Sequence, residues 1–221
     1  MKIDKQWKSF ERKLKDEFKF ASTVAINDAA FAVRDELGKS LDETFDKGAS
    51  KFTQKAFRVS KKAKKTDLEA LVETKDIQSE YIVPALTGGK RKTGDYATSK
   101  RAGVMIPGVA AKTNKYGNMP RGWLKKQTQR TDTFLGEIEL NGRKTLGVYR
   151  TKKLGKRSTK SRLQVLATFR DEVEYSKTNF YIEQEAKDTF DKVVKDSLGE
   201  SIRDISKYGR VRSSYQRRKD P

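Results

Sequence analysis

The chain has no cysteine and no histidine among its 221 residues, and only four prolines. Without cysteine there is neither a disulfide nor thiolate chemistry. Without histidine the chain lacks the side chain most used for proton transfer near neutral pH and the commonest zinc ligand. The composition is compatible with a reducing compartment. No apolar run approaches the roughly 18 residues of a membrane span, and Met1 to Gln6 is no signal peptide. The expectation is a soluble protein made in the cytoplasm, with no cofactor and no metal.

Positive charge is in excess. Lys plus Arg number 50 against 30 Asp plus Glu, a net charge of +20, which calls for an anionic partner or an acidic neighbouring surface. The excess is unevenly spread. Residues 1–50 carry 10 basic and 10 acidic side chains, whereas residues 51–130 carry 19 and 6. The charge therefore lies in the middle of the chain and in its tail. The length fits a single domain over residues 1–207, followed by a basic tail, 208–221.

The firmest local signal is the stretch Thr133 to Arg150, two short alternating runs joined by Asn141-Gly142. Both central residues of such a turn need positive φ, which Asn and Gly tolerate, so the stretch predicts a β-hairpin. Leu163 to Phe169 predicts a further strand beside it, Leu68 to Thr74 another, and Gly103 to Pro107 a brief one confined by Pro107 to an edge or an end. Ile77 to Ala85 fits a short helix or a strand.

Trp7, Phe10, Leu14, Phe18, Ala21, Val24 or Ala25, Ala29 and Ala32 or Val33 recur at steps of three and four, predicting one amphipathic helix over residues 4–37, packed on a core and stopped by Gly38. Ser40 is positioned to cap a second short helix running to Lys47 and closed by Gly48. Phe180, Ala186, Phe190, Val193 or Val194, Leu198, Ile202 and Ile205 mark a final helix, 179–206, with Gly209 after it. Two long helices over a small antiparallel sheet or partial barrel centred on the 133–150 hairpin make an α+β fold.

Three basic segments interrupt this pattern. Residues 51–66 carry Lys51, Lys55, Arg58, Lys61, Lys62, Lys64 and Lys65 with no acid between them, and are expected to be a loop or an arm on nucleic acid or an acidic surface. Residues 88–101, with Lys90, Arg91 and Lys92 after Gly88-Gly89, are expected to break regular structure as a flexible loop for phosphates or partners. Residues 151–162, with Lys152, Lys153, Lys156 and Arg157, form the third. With Arg143 and Lys144 this last loop is placed at the ends of the hairpin, to meet a neighbour or DNA. The tail, with Arg210, Arg212, Arg217, Arg218 and Lys219, is expected to stay disordered until bound.

No stretch carries convincing chemistry. Gly38-Lys39-Ser40 lacks the upstream glycine of a phosphate loop and ends a helix instead of opening one. Glu137 and Glu139 share one strand face and read as its solvent side. Glu73-Thr74-Lys75 matches the end of a nuclease signature, without a convincing upstream Asp. The expectation is a protein that is not an enzyme.

The stretches Phe52-Thr53, Ala56 to Val59, Lys62 to Lys64, Leu68 to Val72, Lys75-Asp76, Tyr81 and Gly88 to Arg91 resemble a pattern of prophage tail proteins. Asn114, Tyr116, Gly117, Asn118, Pro120 and Trp123, which read locally as turn chemistry before a helix over 121–129, resemble that family's central segment. So do Gly147 to Arg150 and the Phe180 to Leu198 helix. The family is the minor tail protein Z group of tailed bacteriophages, the tail completion proteins, within the wider set of head-tail joining and neck proteins. The resemblance implies an α+β subunit of a homo-oligomeric ring in the virion, between portal or connector and tail tube or tail terminator. In such a ring the basic segments would either hold the end of the double-stranded genome or seat on acidic faces of neighbouring rings. The alternative from the residues alone is a non-catalytic nucleic-acid-binding protein.

Overall fold

The computed structural model describes residues 2–95, 102–140, 142–155, 160–178 and 180–212, with side chains from residue 4. In chain order the elements are α1 (Lys2–Thr44), α2 (Lys51–Gln54), β1 (Phe57–Lys61), β2 (Leu71–Thr74), α3 (Asp76–Thr87), β3 (Gly89–Lys92) and β4 (Val104–Pro107). They continue with α4 (Trp123–Thr128), β5 (Thr133–Leu140), β6 (Arg143–Lys153), β7 (Ser161–Arg170), β8 (Glu172–Tyr175) and α5 (Ile182–Tyr208). Long terminal helices with small antiparallel sheets make the fold α+β, as expected. The stretch 1–207, expected as one domain, comprises two compact units. The first holds residues 1–42, 51–75 and 180–221, and the second holds 43–50 and 76–179. Among the described residues no helix is long and apolar enough to cross a membrane.

In the first unit α1 and α5 lie antiparallel, fixed by polar links at three levels. The Val211 N–H donates to Glu17 at 2.9 Å, the Ser197 hydroxyl to Asp28 at 2.8 Å and the Ser40 hydroxyl to Glu185 at 3.3 Å, so the chain order rises on one helix as it falls on the other. Ala21, Ala25, Ala29, Val33, Leu37 and Leu41 form the buried stripe of α1. The stripe begins earlier in the sequence, but Trp7, Phe10 and Phe18 are exposed. At about 1.5 Å per residue, a helix of 43 residues outruns one of 27 by roughly 24 Å. The turns before Glu17 therefore extend past the end of α5, and the Trp7 and Phe10 rings settle against each other, with centroids 6.0 Å apart.

Gly38 does not end the first helix, and Ser40 does not cap a second one, because α1 runs through both to Thr44. Gly38 serves close approach: a Cβ there would run into the backbone carbonyl oxygen of Gln54. This reverses the usual sign of a helix-interior substitution. Alanine normally gains roughly 1 kcal/mol over glycine in a helix, but Gly38→Ala should cost about 1–3 kcal/mol through overpacking. A lowered thermal unfolding midpoint is the expected readout, and a raised one would show that the Gln54 turn yields.

In the second unit β4, β7, β6 and β5 form one open antiparallel sheet in that order, with β4 at an edge as Pro107 requires. The 133–150 hairpin is present as expected, paired from Thr133↔Arg150 to Leu140↔Arg143, with Gly142 at φ 73°; Asn141 lies outside the described residues. Trp123, Val148, Leu166, Ala167 and Phe169 form the core of this sheet, with Met105, Met119, Leu124 and Leu146 packed on it. On the opposite face the ring of Tyr149 lies over Gly147, where a Cβ would collide with it, and the Tyr149 hydroxyl donates to the Thr145 carbonyl at 2.8 Å. Residues 77–85 are helical, within α3, burying Gln78, Ile82 and Leu86 at steps of four.

Candidate functional site

Two of the three expected basic loops are in part regular structure, with residues 96–101 outside the described residues. Residues 57–61 are strand β1, paired with β2 at Phe57↔Thr74, Arg58↔Glu73 and Val59↔Val72. Residues 89–92 are strand β3, paired with β8 at Lys90↔Glu174 and Lys92↔Glu172. In each ribbon the basic strand faces an acidic one, and opposite charges across an antiparallel pair favour that register. The acids missing from the 51–65 run thus arrive from the return strand and the turn. The third segment is shorter than expected, because β6 reaches Lys153 and β7 begins at Ser161; Lys156 and Arg157 lie outside the described residues.

Arg58 is held by Glu73, with Nη2 at 2.6 Å from Oε1, so the carboxylate of the Glu73-Thr74-Lys75 tripeptide is already spent on a guanidinium. Lys61 bridges Asp67 at 2.8 Å and Glu69 at 2.6 Å, and these hydrogen bonds raise its pKa. Lys62 sits over the Phe31 ring at 5.1 Å and Lys65 over the Phe20 ring at 5.0 Å. Lys90 pairs with Glu172 at 2.8 Å, which raises the lysine pKa and lowers that of the carboxylate. Arg91 is half-buried within β3, and the Lys92 N–H donates to Asp95 at 2.6 Å. Lys51, Lys55, Lys64, Lys152 and Lys153 remain exposed or half-buried without an ion pair among the described residues. Lys152 stands directly across from Arg162, a like-charge pair that an anion would relieve.

A cleft of about 550 Å³ in the first unit gathers Arg34, Lys39, Lys55, Arg58 and Lys75 with one acid, Asp35. Its charges are largely satisfied internally: Arg34 pairs with Asp35, Lys39 with Glu36 and Arg58 with Glu73, while Lys75 donates to the Lys55 carbonyl. Sequence reading missed Arg34, Lys39 and Lys75 here, since α1 and the β1–β2 ribbon meet only in space. In the second unit Arg143, Lys144 and Arg170 line a cleft of about 780 Å³ without any acid. Arg170 also went unnoticed, because it ends a strand with no basic neighbour in sequence.

The tail is not loose from its start. Arg210 is exposed, but Val211 is buried and Arg212 binds Asp204 through its Nε and its backbone N–H, both at 3.0 Å. Arg217, Arg218 and Lys219 lie outside the described residues.

The Asn114 to Trp123 segment is a built turn. The Asn114 side-chain oxygen accepts the N–H groups of Tyr116 and Asn118, each at 3.0 Å, and the Asn114 N–H donates to the Asn118 carbonyl at 2.8 Å. Gly117 supplies a φ of 79°, which favours glycine. The Pro120 carbonyl accepts the Trp123 N–H at 3.0 Å, opening α4, whose Trp123 is buried in the sheet core.

Asp132 closes the other end of α4 by accepting two hydrogen bonds from Arg130, at 2.8 and 2.9 Å, with Arg150 3.7 Å away. The Arg130 hydrogen bond is the main cause that lowers its pKa from the usual 3.8 to about 2. A depressed carboxylate contributes stability that is fully present well above 3.8 and is lost as pH falls through 2. Asp132→Asn should therefore flatten the pH dependence of the urea midpoint across that window, and an unchanged slope would remove Asp132 from the acid response.

Glu137 and Glu139 are exposed on one face of β5, the solvent side expected of them. Among the described residues no three acidic groups gather where they could hold a metal ion. Set against protein-family models, curated proteins and solved structures, the chain matches none of them.

Proposed function

We propose that the chain is a non-catalytic structural protein of a tailed-phage virion, a tail completion or neck subunit that joins head and tail as part of an oligomeric ring. The observation that carries the reading is the Asn114 to Trp123 turn. The residues that resemble the family's central segment each have a physical task there, from the Asn114 side-chain bonds to the buried Trp123. Other resembling stretches fall on formed elements: Ala56 to Val59 leads into β1, Gly147 to Arg150 lies in the middle of β6 and Phe180 to Leu198 lies largely in α5. Glu73, the carboxylate that a nuclease would need, is engaged by Arg58. Homologous tasks in other ring subunits would be the joining of symmetric neighbours through isologous or heterologous surfaces. The test is a phage carrying an early stop codon in this gene. Filled heads and separate tails are the expected products under the electron microscope, and normal infective particles would overturn the role.

A second reading, a nucleic-acid-binding protein acting by electrostatics, is favoured by Lys51, Lys55, Lys64, Lys152 and Lys153, which carry no ion pair among the described residues. It requires duplex DNA affinity that falls with salt by a log–log slope of about 0.9 per phosphate neutralised. The ion pairs of Arg58, Lys61 and Lys90 count against it, since those cations are already neutralised within the fold.

A further inference from the structure

The β6–β7 ladder ends at Gly147↔Thr168. Toward the hairpin turn β6 stays paired with β5, as far as Leu140↔Arg143, while β7 stays paired with β4, through Met105↔Phe169 and Val104↔Arg170. The two pairs part company there, and the 780 Å³ cleft opens between Arg143 to Leu146 on one wall and Thr168 to Arg170 on the other. Its size lies within the roughly 300–1,000 Å³ of ordinary ligand sites. Successive strand residues point to opposite faces, so a lining of consecutive residues belongs to a gap through the sheet and not to a groove on one face.

The chemistry of the walls narrows the occupant. Arg143, Lys144 and Arg170 are exposed, carry no ion pair or side-chain hydrogen bond among the described residues, and share the cleft with no carboxylate. Leu140 and Leu146, both half-buried, contribute apolar surface, and the wall from Lys144 to Leu146 is a strand edge without a β7 neighbour. An unpaired edge offers main-chain hydrogen bonds to an added strand. A phosphodiester backbone would use the cations but neither the strand edge nor the apolar wall.

We propose that this cleft takes an extended segment of a partner protein, with acidic and apolar side chains in alternation, added as a strand along the β6 edge. The inference stands apart from the head-tail role, since it rests on the geometry of the sheet and the chemistry of the cleft walls. The test is calorimetric titration of the full chain with an acetylated peptide of alternating valine and glutamate, about eight residues long. The peptide should bind. Arg143→Gln with Arg170→Gln should weaken it by about tenfold or more, and N-methylation of alternate amides along one edge should abolish binding. If that double variant fails to fold by circular dichroism, Lys144→Gln is read in its place. Absence of binding, equal binding by the N-methylated peptide, or indifference to the substitutions would overturn the proposal. Binding of short duplex DNA at these cations, without the peptide, would reassign the cleft as a phosphate site and overturn it equally.

Discussion

Arg212→Ala should lower the stability of the chain by about 3–5 kcal/mol, the usual cost of stripping one partner from a buried ion pair. The side chain of Asp204 is 6% exposed and that of Arg212 is 14% exposed, so water is a poor substitute for either. Loss of the guanidinium leaves a buried carboxylate with its Nε contact gone, and also removes the cation from the Tyr208 ring, 4.1 Å away. The location amplifies the effect. Gly209, at φ 68°, ends α5 and turns the chain back, so that Val211 reaches Glu17 on α1 and Arg212 reaches Asp204 on α5. Val211 and Arg212 thus hold the chain after Gly209 against α1 and α5. Urea unfolding at constant m-value is the measurement. A change within about 0.5 kcal/mol would place the pair among ordinary surface contacts. Arg212→Met combined with Asp204→Asn should recover much of the loss, because it removes the charge of the desolvated carboxylate along with the ion pair.

Trp123→Ala should cost a similar amount, about 3–5 kcal/mol, by emptying the middle of the sheet core. Trp123 packs with Val148, Leu166, Ala167 and Phe169, and it is also the residue on which the Asn114 turn ends. The chain has only two tryptophans, and Trp7 is 66% exposed. The blue-shifted part of the intrinsic fluorescence should therefore come from Trp123 and vanish in the variant, even before denaturant is added. Trp123→Phe should keep most of the stability while losing the same emission. If Trp123→Ala unfolds at the wild-type urea midpoint, the core is organised around other residues.

The hairpin at 133–150 and the last helix could be read from residues alone, because each depends on neighbours in sequence. Asn141-Gly142 sets a two-residue turn, and Gly209 does what a residue after a helix does when the left-handed conformation is required. Gly38 misled for the same reason that Gly209 did not. Its role is set by a carbonyl at Gln54, which no local pattern reveals. Strand β8 carries no local signal, and the sequence of β3 reads as a loop, since their pairing joins residues 80 or more apart and depends on Lys90 meeting Glu172.

The basic segments show the same division most clearly. Composition determined that the middle of this chain is strongly cationic, that cysteine and histidine chemistry is closed to it, and that helices and a hairpin of given period would form. Only the tertiary structure decided which cations are spent. Arg58 and Lys90 lie beside acids from facing strands and Lys61 beside acids from the connecting turn, whereas Arg143, Lys144 and Arg170 converge on a cleft with none. The physical reason is distance. Periodicity and turn chemistry act within a few residues, but neutralisation of a charge requires its counter-ion within about 4 Å, and chain folding alone brings such pairs together.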